Sequence, residues 1–207
     1  WAGFSLKNGL APLSVPLIFD TDVNGAAIAE QWATPDKPKL LAYVTVGTGI
    51  GVGFAASGRS LSGMRHFEMG HLRAPHDRVA DPFAGSCPFH GDCLEGLASG
   101  SAIMRRWKAP LSDLPESASG LIANYLAELA HVIILSHMPN RIVFGGGVMK
   151  TPGLIEKTRA RAQELLGGYV DAPPLAGDWS QYITPPVLGD NAGVGGALLL
   201  AARAISD

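Results

Sequence analysis

Cys87, His90 and Cys93 fall within seven residues of one another, and His71 precedes Cys87 by sixteen. Thiolates and imidazoles are the ligands that zinc takes four at a time in a tetrahedron, and a turn through Gly91 would fold the three near ligands around one ion. The stretch from Arg65 to Gly100 that carries them holds both cysteines and four of the six histidines, together with Glu68 and Glu95. Spacing leaves two other arrangements open: a Cys87–Cys93 disulfide with the histidines incidental, and His66 or His76 in the place of His71. Four ligands close the coordination shell, so zinc here would be structural rather than hydrolytic.

A second constellation is Asp20-Thr21-Asp22-Val23-Asn24-Gly25. The apolar run Val15 to Phe19 predicts a strand leading into it, and Ala26 to Trp32 predicts a helix that ends before Pro35. A carboxylate at such a turn sits at a helix N-terminus, where free N–H groups and the dipole keep it ionised. Asp20 and Asn24 read as caps. Asp22 lies between strand end and first helical turn, where the active groups of open α/β sheets collect. Leu40 to Phe54 alternates on both sides of Gly47-Thr48-Gly49 and predicts a β-hairpin whose tip can wrap a phosphate with amide donors and a hydroxyl, a weak signal taken alone. Gly145-Gly146-Gly147 follows a predicted strand, Arg141 to Phe144, and marks either a close approach of backbone to a flat or charged group or a tight turn.

The remaining pattern supplies the frame for these residues. Leu61 to Met64 predicts a short strand, Leu94 to Trp107 a helix, and Ser119 to His137 a longer, apolar one on which His131 and His137 are packing or surface residues. A helix starts at Pro152 and ends at Gly167-Gly168, Tyr182 to Leu188 is the last strand, and Gly193 to Ile205 is a small-residue helix suited to close packing. The 207 residues carry 16 basic and 18 acidic side chains with no long run of either sign, which argues against nucleic-acid and membrane-surface partners and for a small molecule. No apolar run reaches the ~18 residues of a membrane span, no signal-peptide pattern stands at the start, and two cysteines in a metal-like setting fit a reducing cytoplasm. The chain opens on Trp1, and Val15 to Phe19 has no partner strand before it, which suggests that a further segment lies upstream.

Taken in order, DTDVNGAA, TVGTGIGVG, FEMGH, CPFHGDCLEG, VFGGGV and LGDNAG resemble the ROK family of sugar kinases and repressors over residues 20 to 196. Within it the knot is most similar to that of the zinc-containing bacterial fructokinases. The resemblance implies an α/β, actin-like ATPase (ribonuclease H-like) fold, with residues 1–38 as the end of a small lobe, 39–207 as the large lobe with its zinc segment 65–100, and the last helix, 193–205, packed towards the small lobe. It implies ATP-dependent phosphorylation of fructose to fructose 6-phosphate, Mg2+ with the ATP, structural Zn2+ on His71, Cys87, His90 and Cys93, and a homodimer. A non-catalytic, zinc-containing sugar-binding protein is the alternative. Asp22 resembles the general base, Thr21, Glu68, His71 and Glu95 the sugar contacts, Gly47, Thr48 and Gly49 the second phosphate loop, and Gly145, Gly146 and Gly147 the nucleotide-binding strand end. Three departures accompany it. Thr21 stands where Asn is usual, Phe67 would narrow the sugar pocket, and the first phosphate loop, Asp-x-Gly-x-Thr, is not in this sequence, so that the chain alone is expected to be inactive.

Overall fold

Leu40–Val46 and Ile50–Ala56 pair antiparallel as β1 and β2, the hairpin expected around Gly47-Thr48-Gly49. In the computed structural model, which describes residues 3–206, β1 also pairs in parallel with β4 (Arg141–Gly145), and β4 in parallel with β5 (Ile183–Thr184). With β3 (Arg59–Ser60) on the outer edge of β2, the sheet order is β3-β2-β1-β4-β5. Trp1 lies outside the described residues.

Both faces of the sheet are covered, which is why β1 and β4 are apolar on successive residues rather than on alternate ones. One face carries α2 (Asp22–Ala33) and α7 (Ala192–Ser206), whose Ala26, Ala27, Ile28 and Ala192 pack on Leu41, Tyr43, Ala55 and Val143. The other carries α3 (Leu94–Ala98), α4 (Gly100–Trp107), α5 (Glu116–His137) and α6 (Leu154–Leu166), with Leu126, Leu129 and Ile133 of α5 in the core beside Val44, Phe54 and Phe144. The small residues of α7 let its backbone at Gly196 lie against that of Gly25 in α2, where any side chain on Gly196 would overlap the Gly25 carbonyl.

Four expectations are corrected. Val15 to Phe19 forms no strand, because no other described strand runs beside it; Val15, Ile18 and Phe19 are about half exposed, and what precedes them is a short helix, α1 (Leu6–Leu10), capped by Ser5 and continued by a 3-10 turn at Ala11–Leu13. Leu61 to Met64 is likewise not a strand: Leu61 makes one last bond to the Phe54 carbonyl, after which Met64 stands in solvent. The strand expected from Tyr182 to Leu188 stops after Thr184, since Pro185 and Pro186 have no N–H to give a ladder. The helix expected over 94–107 breaks at Ser99, whose extended backbone ends α3 while its hydroxyl accepts from the Ala102 amide and starts α4.

Contrary to the reading of apolar runs, α5 is by length and composition able to cross a bilayer, but 61% of its most apolar window is buried within the fold. It is the central helix of the core.

Candidate functional site

Ile50 and Gly51, the first two residues of β2, are the point on which the candidate residues converge. The Ile50 amide donates to Oε2 of Glu95 at 3.0 Å, and the Ile50 carbonyl lies so close to Gly70 that a side chain there would overlap it. A side chain on Gly51 would touch Val23, the neighbour of Asp22, at 3.0 Å. One step of one strand therefore holds Glu95, the Glu68–His71 segment and the start of α2 together. The hairpin tip is fixed as well: the Gly47 carbonyl accepts from the Gly100 amide at 2.7 Å and the Thr48 carbonyl from Ser101, so the first turn of α4 is anchored by the Gly-Thr-Gly loop.

The four expected metal ligands come together. The donor atoms of His71, Cys87, His90 and Cys93 all lie within 4.8 Å of one another. Nδ1 of His71 is 3.5 Å from Sγ of Cys93 and 3.7 Å from Sγ of Cys87, and Nδ1 of His90 is 3.7 Å from Sγ of Cys87. With Zn–S near 2.3 Å and Zn–N near 2.05 Å, a tetrahedron has S···N edges of about 3.6 Å, so the donor set fits this ion. Both cysteines are free thiols, which removes the disulfide alternative. Burial works against ionising Cys87, but the amides of His90 and Phe89 and the Cys93 thiol outweigh it and hold its pKa below the ordinary thiol value; burial pushes Cys93 up.

The geometry also selects among the histidines. His66 binds Glu68 at 2.7 Å and faces solvent. His76 is enclosed, with Nδ1 on Asp92 and Nε2 on the Asp81 carbonyl. Around it runs a polar network with no counterpart in the sequence-based expectations: buried Asp81 accepts from Tyr125 at 2.7 Å and pairs with buried Arg106 at 3.1 Å, while Asp92 binds the exposed Arg73 and Arg78. His76 beside Asp92 holds that carboxyl below its usual range against the opposing effect of burial. This network fastens the loop between His71 and Cys87 to α4 and α5. Phe67, expected to narrow a sugar pocket, instead turns onto Phe54 and His137, each with ring centroids 5.4 Å away, and anchors Glu68.

Asp22 stands at the first position of α2, exposed, with Oδ1 accepting from Val23 at 2.9 Å. Thr21, not Asp20 or Asn24 as expected, caps the helix by accepting from the Asn24 amide, and Asp20 instead binds the Asn24 side chain and Ser60. A cleft of about 190 Å³ joins Asp22 to Tyr43, Thr45, Gly146, Gly189 and Asp190. The three glycines at the end of β4 do not act alike. Only Gly146 lines this cleft; Gly147 opens on a groove against α4 with Ile103 and Val148, and Gly145 lies under the Tyr43 ring.

Glu30 was not expected to matter, although a lone carboxylate on an alanine-rich apolar helix face was a visible signal. It is wholly buried and accepts from the Val187 and Leu188 amides at 2.8 and 2.9 Å, tying the loop before Gly189-Asp190 to α2. Burial raises its pKa above 4.5, with the Leu188 and Val187 amides opposing. The folded chain therefore keeps a proton that the unfolded chain has released, and the stability this group contributes is full below about pH 4.5 and falls as pH rises through the folded value. Urea unfolding between pH 4.5 and 7 should show wild type losing stability relative to Glu30→Gln, which cannot titrate. Parallel profiles would show that Glu30 does not titrate in the fold.

A mixed sheet with helices on both faces, a glycine-tipped hairpin and a carboxylate opening the adjacent helix define an α/β protein of the actin-like ATPase class. The ROK family profile matches residues 1–204, and the chain belongs to the ROK family. Among curated relatives it is 43% identical over 197 residues to a fructokinase of Zymomonas mobilis, covering 91% of this chain and 63% of that one. It is 41% identical over 199 residues to a putative fructokinase of Bacillus subtilis, covering 93% and 65%. Among solved structures a ROK hexokinase from Thermus thermophilus superposes with a TM-score of 0.76 at 27% identity, over 96% of this chain and 69% of that one. The chain thus spans just under two thirds of the length of the two curated relatives.

Proposed function

We propose that this chain carries the sugar- and metal-binding part of an ATP-dependent kinase that phosphorylates fructose to fructose 6-phosphate. The observation that carries the reading is the convergence of Glu95, the Glu68–His71 segment and the start of α2 on Ile50–Gly51, together with a cleft that Asp22 shares with Gly146. Glu68 and Glu95 accept hydrogen bonds from sugar hydroxyls, Thr21 contributes its hydroxyl while capping α2, and His71 donates through Nε2 while Nδ1 faces the thiols. Asp22 takes the proton of the sugar's 6-hydroxyl as that oxygen attacks the γ-phosphorus and the bond to the bridging oxygen of ADP breaks. The Gly47-Thr48-Gly49 tip and Gly146 bind phosphate. Mg2+ bound with the ATP would neutralise phosphate charge, and Asp190, which pairs with Lys150 in this fold, is the cleft carboxylate that would face its hydrated shell. Zinc on His71, Cys87, His90 and Cys93 is structural and seats α3, which begins at Cys93 and carries Glu95. The two-lobe organisation enters the same proposal, with α2 grouped with the sheet on which it packs.

The test is a hexose panel with the complete encoded protein and ATP–Mg2+. Fructose should give fructose 6-phosphate with kcat/KM at least about tenfold above glucose and mannose, a floor well below the roughly 10⁴- to 10⁵-fold by which a site built to bond a hydroxyl rejects an analogue lacking it. Absence of ATP-dependent turnover with every hexose would reject the reading, and sugar binding without nucleotide binding would turn it into a sugar-binding protein.

A further inference from the structure

Leu41, Tyr43 and Thr45 of β1 alternate onto the sheet face under α2 and α7, and Tyr43 and Thr45 reach the cleft where Asp22, Gly146 and Asp190 stand. Tyr43 is 7% exposed, and its ring is packed on Ala26, Ala27, Ile28 and Val143. The hydroxyl hangs over Gly145, where a side chain would overlap it and come within 3.0 Å of Cζ. It makes no hydrogen bond to any described residue. The hydroxyl is not sealed in: it opens on the cleft, so its hydrogen bonds are left to water or to a ligand bound there, and phenylalanine in its place would offer neither. Tyr182 also has an unpaired hydroxyl, but that one is sealed in the core, whereas Tyr43 opens on the cleft. Burial, with the charges of Glu30, Asp190 and Asp22, pushes the Tyr43 pKa up to about 12, so the group remains a donor at neutral pH.

The surroundings choose the acceptor. Glu30, Asp190 and Asp22 place negative charge around the phenol, so an anionic acceptor is repelled there unless a cation such as Mg2+ comes with it, and the candidate sugar contacts lie on the other side of β1, about the Ile50–Gly51 step of β2. Tyr43 points instead towards the end of β4 and the start of α7. We propose that Tyr43 is a nucleotide-binding residue, its hydroxyl donating to a phosphate oxygen of the Mg2+-nucleotide at Gly146, and that Gly145 is glycine to leave room for that hydroxyl rather than to touch the nucleotide. The proposal rests on the kinase reading.

Tyr43→Phe removes one oxygen and keeps the packing. In the complete encoded protein, calorimetric titration with a non-hydrolysable ATP analogue and Mg2+ should show Kd raised about tenfold, the scale of one hydrogen bond to a charged group. KM for ATP should rise in step, KM for the sugar should stay unchanged and Tm should not fall. Gly145→Ala should weaken nucleotide binding by a similar factor and add little in the Tyr43→Phe background. Wild-type nucleotide affinity in Tyr43→Phe, or a raised sugar KM with ATP unaffected, overturns the assignment while leaving the kinase reading intact. Failure of the wild type to bind any nucleotide overturns both.

Discussion

Asp22→Asn should leave sugar and nucleotide binding in place and lower kcat about a thousandfold. The substitution keeps Oδ1, which accepts from the Val23 amide, and keeps the volume of the side chain at the first position of α2. The cap does not depend on it, because Thr21 and not Asp22 accepts from Asn24. What is lost is the ability to take a proton. General-base assistance contributes about 10²- to 10⁴-fold, and a group that acts in the transition state lowers kcat without a matching rise in KM. Steady-state kinetics with fructose and ATP, beside a melting curve that moves by no more than about 2 °C, checks the expectation. Turnover within fivefold of wild type would remove Asp22 from the chemistry.

Cys93→Ser has the second largest expected effect, and it reaches the sugar through α3. Cys93 is completely buried, precedes the first residue of α3 and bridges to Arg73, while the Leu94 amide donates to the Leu72 carbonyl. The ligand, the His71–Arg73 segment and the helix bearing Glu95 are consequently one unit. Zinc affinity in such a site is folding free energy for the segment it ties. Loss of about 3–5 kcal/mol corresponds to a Tm lower by roughly 10 °C in a domain of this size. Metal analysis should show equimolar zinc in wild type and almost none in the variant, with the fructose KM raised more than about tenfold as Glu95 loses its seat, a loss of roughly one charged hydrogen bond. A variant that keeps its zinc, or sheds it with Tm and KM unchanged, would contradict a structural role for the ion.

The candidate metal ligands and the Gly-Thr-Gly hairpin were legible because each is decided by short-range geometry: a turn at Gly91 closes Cys87 on His90 and Cys93, and alternation about residues 47–49 folds β1 onto β2. Which histidine completes the set was not. His66, His71 and His76 are equivalent by spacing, and the bridge between Arg73 and Cys93, with the acids that enclose His76, selects His71. The length of β5 turned on two prolines in plain view, whereas the loss of a strand at 15–19 turned on the lack of a neighbour, which no local pattern reports.

Residue types and spacing by themselves determined the chemistry on offer: an ion-binding knot, a carboxylate at a helix start, and glycine turns able to hold phosphate. Only the folded chain decided which groups meet. Glu30 and the Val187 amide lie 157 residues apart, Glu95 and Ile50 lie 45 apart, and Tyr43 finds its space over Gly145 across a parallel strand pair. Such contacts follow from how strands are ordered and which faces are covered, because desolvation and hydrogen bonding act between neighbours in space, whatever their distance along the chain.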